Sequence, residues 1–466
     1  MDSIKDRRNH RAGSLTAEAP GSPGMQTPQC SGVGGLDRRR LLQAAGFGVG
    51  ALGLASCGPL SSGENGDGGA DADGPAEIGV KPAEGTSGYD FLVGVGDGVT
   101  EENPDFTYTY TFVNTKVRPQ IEQRWRAGDP PDLDYEIFNA QVPSTHDFAE
   151  NLLDLTPYME DEVEGGGTWG ESFLEAVEKE TVLDGKTYGV LSDTAVIALF
   201  YNMTLFEENG IEPPTTWSEL LDVCDALHEA DIAPIAVTGM YEPYMGYWTD
   251  YLFTRHVGYD AALEAAFSGD FSDPGFQAAA EDYEALLEKD PFINGFEGTD
   301  FTAVQMEFFQ DKAGMILMGS WLMAEMKDSI PEGFKLGVVP FPQVDGAEED
   351  NSFIAASNVM VVNKESQHID AVIAYMKALT SKETQTRRAE QQGSVSAVEG
   401  VPGPPGVEGF EEMIEGAGDL NIRQFGLEYV PDRNTAYYHE VAKFTFGDYD
   451  ASGFIEALTT AMTSAD

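Results

Sequence analysis

The chain has 466 residues, 41% of them hydrophobic and 11% aromatic, which is ample for two or three packed domains. Eighty acidic residues against 27 basic ones give a formal charge of −53, which argues against nucleic-acid phosphates and anionic lipid surfaces as partners. The acids are spread in short runs such as Glu160-Asp161-Glu162 and Glu348-Glu349-Asp350, so they read as a hydrated surface suited to high salt rather than as a binding tract.

The N-terminal part reads as an address. Residues 37–57, DRRRLLQAAGFGVGALGLASC, place three arginines before an apolar stretch too short for a permanent span. Arg38-Arg39-Arg40 before Leu41-Leu42 resembles a twin-arginine export signal. Leu54-Ala55-Ser56-Cys57 resembles a lipobox, with Cys57 as the acylated N-terminus of the mature chain on the outer face of the membrane. Met25 is an alternative start. Residues 58–86 are Gly/Ser/Asp-rich with hardly any large apolar side chain, and are expected to form a flexible tether. Beyond the signal only Cys224 remains, within an amphipathic pattern where it reads as a small core residue, and no disulfide framework is possible.

From residue 89 onward, β-like runs alternate with amphipathic helices. Tyr89–Val93 reads as a strand ending in the glycine-rich loop 94–98; 106–113 and 132–138 read as two more. Helices are expected over 217–230, 275–288, 302–312, 369–380 and 453–463, the first capped by Thr216 with Glu219 three residues on. Such interleaving implies α/β layers with largely parallel sheets. No metal-ligand spacing, cofactor motif, internal repeat or heptad pattern is present in the sequence.

Several motifs, in order, resemble those of extracellular sugar-binding proteins of ABC importers. They are Gly128-Asp129-Pro130-Pro131-Asp132, Gly185–Val190 followed by Phe200–Phe206, Gly210–Leu220 with Thr216-Trp217, and Phe309–Met315 followed by Gly319-Ser320-Trp321. The stretch from Trp321 to Pro342 is most similar to N-acetylglucosamine and chitobiose receptors. The resemblance implies a two-lobed fold of the periplasmic-binding-protein type, with discontinuous lobes (87–194 plus 358–396, and 197–354 plus 398–466) joined near 194–198, 354–358 and 395–400. It also implies a carbohydrate bound in the cleft by hinge closure, no catalysis, a monomer, and delivery to two permease subunits with their ATPase.

Sugars offer apolar C–H faces and rings of hydroxyls, so their sites pair aromatic platforms with short polar side chains. Trp321 stands where the family stacks a tryptophan, and Glu242-Pro243-Tyr244 matches a family motif whose tyrosine lines the cleft, with Trp248 close behind. Asp97, Asn139, Gln141 and Asp193 fall where relatives present polar contacts from the other lobe, and Tyr437 where they offer another aromatic. Trp217 reads as packing. Three rival readings stand beside this one: a secreted glycosidase, whose carboxylate pair the acidic composition could hide; a receptor for a polyamine or other cation; and a polymer-binding surface protein.

Overall fold

The computed structural model describes residues 74–465, apart from 114–116, 136, 346 and 348–349. The chain divides into two units, Met1–Ala70 and Asp71–Asp466; the second carries the fold. The export signal, Cys57 and residues 58–73 lie outside the described residues.

The first sheet contains β1 (Ala76–Val80), β2 (Tyr108–Phe112), β3 (Leu133–Tyr135), β4 (Val190–Leu191) and β10 (Val359–Val362), in the order β2-β1-β3-β10-β4. β1 runs parallel to β2 and β3, while β10 is antiparallel to β3 and β4. Two sequence expectations are corrected here. Ala76–Val80 belongs to the sheet and not to the tether, because Ala76, Ile78 and Val80 bury into the core beneath it. Tyr89–Val93 is no strand: it lies inside helix α1 (Ser87–Glu102), capped by Thr86, whose Oγ1 accepts from the Tyr89 amide. Phe91, Leu92, Val95 and Val99 recur at helical spacing on its buried face. Gly96 is also required there, since a Cβ would stand 2.1 Å from the Tyr110 hydroxyl.

The second sheet is built from β5 (Ile197–Asn202), β6 (Ala233–Ala236), β7 (Ala313–Gly319), β8 (Leu336–Val339) and β11 (Val407–Glu408), ordered β11-β8-β5-β7-β6. β5 and β7 pair antiparallel and are apolar almost throughout, as strands covered on both faces must be. Alternation then deals their side chains to two cores. Ile197, Leu199, Met315 and Leu317 face helices α2 (Trp217–Glu229), α3 (Glu242–Val257) and α4 (Pro274–Glu288), whereas Ala198, Phe200, Ile316 and Met318 face α5 (Phe301–Phe309). Thr216 and Glu219 form the expected capping box of α2. The remaining expected helices appear as α7 (Ile369–Leu379) and α9 (Ala451–Ser464). Among the described residues, no helix is long and apolar enough to cross a membrane.

The chain passes between the sheets where β4 continues into β5. There Thr194 bridges Val395 and Val196 bridges Ala355. Backbone bonds between Ala195 and Ala356, at 2.7 and 3.1 Å, tie two of the three passages together. β9 (Phe353–Ala355) pairs with β12 (Leu420–Ile422) beside them.

Candidate functional site

A cleft of about 220 Å³ opens against these passages. Its first wall holds Lys81, which follows β1, and its floor is Asp193–Ala195 with Ala356–Asn358. Gln392–Ser394, at the end of α8 (Lys382–Gln392), closes one side. Opposite stand Ser320 and Trp321, directly after β7, together with Arg423 and Glu428, which follow β12.

The position of Trp321 depends on Gly319, because a Cβ there would lie 2.1 Å from the indole. The ring therefore folds back over the strand end and leans toward Tyr244, with centroids 6.2 Å apart. One donor in this corner is unused: Ser320 Oγ is buried without a hydrogen-bond partner, whereas the Trp321 indole N–H is directed at the Tyr244 hydroxyl. Such a group costs about 1–3 kcal/mol when left unsatisfied, so the Ser320 hydroxyl is poised for a polar ligand.

The other walls are ion-paired. Asp193 meets the guanidinium of Arg388 and accepts from Asn358 Nδ2, while Asn358 Oδ1 accepts from Lys81 Nζ at 2.6 Å. Arg423 pairs with Glu428 at 2.7 Å and its guanidinium lies 5.9 Å from the Trp321 ring centre. This pair sits on a strained turn: Gln424, Phe425 and Gly426 are all left-handed, with φ of 56°, 49° and 67°. Two non-glycine residues in that region cost on the order of 1–3 kcal/mol each. Packing of Phe425 between Tyr259 and Tyr437, and the bond from Asn434 Nδ2 to Gln424 Oε1 at 2.9 Å, hold them there. Behind the floor, buried Glu180 accepts from Asn139 at 2.7 Å and from Ser357 at 2.6 Å. Burial pushes its carboxyl up to about 7, against those two hydrogen bonds.

A sequence pattern describing bacterial extracellular solute-binding proteins matches residues 83–386. The chain belongs to that family. This solute-binding protein is 24% identical over 364 residues to the diacetylchitobiose binding protein NgcE of Streptomyces coelicolor, across 73% of this chain and 75% of that protein. It is 26% identical over 348 residues to the diacetylchitobiose binding protein DasA of the same organism, across 70% and 74%. Among solved structures, a chitin oligosaccharide binding protein superposes with a TM-score of 0.68 at 22% identity, covering 84% of this chain and 99% of that one. That likeness establishes the two-lobed α/β fold.

Of the sequence-derived candidates, the cleft of this solute-binding protein brings together Trp321 and Asp193, with Tyr244 touching Trp321 from behind. The others lie elsewhere. Asp97 is on the exposed face of α1, since the loop expected to present it is helical. Asn139 is fully buried and spent on Glu180. Gln141 instead joins the two halves: its Nε2 donates to Leu420 O and its Oε1 accepts from the Ile422 amide, each at 3.4 Å. Trp248 is core, edge-on to Trp217 and Phe341. Tyr437 is wholly buried and donates to Asp250.

Lys81, Asn358, Arg423 and Glu428 escaped the sequence reading. Lys81 fell in the supposed tether, and the turn that carries Arg423 has no period to read. A larger hollow of about 1040 Å³ lies beside Val395–Gly403, sharing only Thr194 with the cleft and offering Phe410 as its one aromatic ring. It has neither an indole nor an unused buried donor, so the smaller cleft is the better candidate.

Proposed function

We propose that this protein is an extracytoplasmic receptor that captures an N-acetylglucosamine-type saccharide and hands it to an ABC importer. Trp321 carries the reading: an indole at the cleft edge, beside an unused Ser320 hydroxyl, offers a ring face and hydrogen bonds to one ligand. The names of the relatives, both diacetylchitobiose binding proteins, point the same way. Ligand bridging Trp321 and Arg423 on one side to Asp193 and Asn358 on the other would favour closure through contacts made only when the halves meet. The twin-arginine segment and Cys57 would export the chain and anchor it by lipid at the outer membrane face. Two permease subunits with their ATPase would be the partners.

The cleft speaks against the rivals. Both of its carboxylates, Asp193 and Glu428, are already matched by arginines, which leaves no surplus negative charge for a polyamine and no free acid–base pair for glycoside hydrolysis. The test is a thermal-shift screen of Asp71–Asp466 in high salt with N-acetylglucosamine, chitobiose, maltose, cellobiose, xylobiose and spermidine. A ligand at 100 times its Kd should add about 2.7 kcal/mol of stability. A shift with the N-acetylglucosamine sugars that disappears in Trp321→Ala supports the proposal; a shift with spermidine alone overturns it.

A further inference from the structure

A buried carboxyl stands directly behind the cleft floor without lining the cleft. Glu180, on the short helix Glu178–Thr181, is wholly buried. Its Oε2 accepts from Asn139 Nδ2 at 2.7 Å and its Oε1 from the Ser357 hydroxyl at 2.6 Å. Ser357 Oγ in turn lies 2.9 Å from Thr194 Oγ1. Thr194 and Ser357 belong to two different passages between the sheets, and both line the cleft. A chain of three groups thus leads from the buried acid to the surface that a ligand would touch.

Proton counting fixes how this chain is polarised. A carboxylate accepts only, so Ser357 gives its proton to ionised Glu180, and Thr194 then donates to Ser357. In that state both hydroxyls present lone pairs alone to the cleft. Asn139 is committed, because its Oδ1 accepts from the Gln141 amide at 2.9 Å. The proton of a neutral Glu180 therefore sits on Oε1, donates to Ser357 and turns the chain around, which leaves the Thr194 proton directed outward. The rest of the cleft supplies donors: Lys81, Arg423 and the Ser320 hydroxyl, which lies between β7 and α6 (Leu322–Met326). Its carboxylates are matched by arginines. The hydroxyl protons of a saccharide are thus best met by the acceptors that the floor shows while Glu180 is ionised.

The groups around Glu180 come from several elements. They are Glu428, paired to Arg423 on the turn after β12; the Tyr259 phenol, which donates to Ile422 O at 3.0 Å; and His146, whose Nε2 is bonded to Ala140 O at 2.9 Å. Glu178 and Lys179, beside it on its own helix, are exposed. Burial raises the Glu180 carboxyl to about 7 and the charge of Glu428 adds to the rise, so both protonation states can be reached with the protein folded.

We propose that Glu180 is a positioning residue of the saccharide site: through Ser357 it sets the direction of the Thr194 hydroxyl, so that the cleft floor accepts from sugar hydroxyls only while the carboxyl is ionised. This rests on the saccharide-receptor reading above. The test is calorimetric titration of Asp71–Asp466 with chitobiose and with cellobiose on either side of the folded value, at about pH 5.5 and 8.5. It compares the parent with Glu180→Gln, Ser357→Ala and His146→Asn, with thermal melting to check folding at each pH. The parent should bind its better disaccharide about five- to tenfold more tightly at the higher pH, the worth of one hydrogen bond. Glu180→Gln, whose oxygen is held by Asn139 and whose amide then donates to Ser357, should show the weaker affinity at both values. Ser357→Ala should also lose the difference, because the link is cut while the carboxyl remains; His146→Asn should keep it. A parent that binds equally at both values, a Glu180→Gln or Ser357→Ala variant that retains the difference, or a His146→Asn variant that loses it overturns the relay while leaving the receptor reading intact. Failure of the parent to bind either disaccharide at either pH overturns both.

Discussion

Replacing Asp250 by asparagine isolates the cost of ionising one buried carboxyl. Asp250 lies wholly inside the α3 packing, accepting from the Tyr438 hydroxyl at 2.7 Å and from Tyr437 at 3.3 Å. Burial pushes its carboxyl up to about 8, with the two tyrosine hydrogen bonds opposing the rise. An aspartate in the unfolded chain titrates near pH ~3.9. Between those values the folded protein keeps a proton that the unfolded chain has lost. The stability tied to this group is therefore complete below pH ~4 and is lost as the pH climbs through the folded value. The slope is somewhat over ~1 kcal/mol per pH unit, so going from pH 5 to 8 removes roughly 4 kcal/mol through this side chain. An asparagine side chain would retain the shape and the hydrogen-bonding capacity of the protonated acid without the titration. In urea denaturation of Asp71–Asp466, Asp250→Asn should match the parent within about 1 kcal/mol at pH 5 and exceed it by a few kcal/mol at pH 8. A difference that stays flat with pH, or an asparagine variant less stable at pH 8, would refute the reasoning. Glu180, raised to about 7 by its own burial, has the same sign and should leave a residual slope in the variant that Glu180→Gln then reduces.

Thr216→Ala removes one half of the capping box and should lower unfolding free energy by about 1 kcal/mol, with Thr216→Ser close to the parent in the same denaturation assay. Trp248, packed against Trp217 and Phe341, should cost about 3–5 kcal/mol as Trp248→Ala; Trp248→Phe should leave saccharide affinity by calorimetry within about twofold, and a larger fall would return Trp248 to the site. Gly319→Ala puts a methyl where the Trp321 ring lies and should weaken saccharide binding at least tenfold, while the melting temperature of the unliganded domain changes little.

Legibility followed the physical signal. The α2 start was readable because a capping box is a local pattern, and β2 because period two survives in Tyr108–Phe112. α1 was misread because aromatic and β-branched residues crowd its first turns, while its glycines look like a loop, although one of them, Gly96, sits where Tyr110 leaves no room for a side chain. β1 was hidden by its glycine- and proline-rich surroundings. Within the site, Trp321 could be picked out because small residues precede it, whereas Arg423 and Glu428 come together only through a left-handed turn held by distant packing. Asp97, Asn139 and Tyr437 carried chemistry suited to a ligand, but tertiary packing put the first on a solvated helix face and spent the other two on buried carboxyls.

The bonds from Gln141 to β12 and the ion pair between Lys179 and Asp419 span the two halves without lining the cleft. Apparent affinity scales with the fraction of molecules in the binding-competent arrangement. Substitutions at these outlying contacts can therefore make capture stronger or weaker while leaving the choice of ligand alone. What the receptor selects and how tightly it grips are thus encoded in different parts of the molecule, so a lineage facing scarcer or richer supplies can adjust one without disturbing the other.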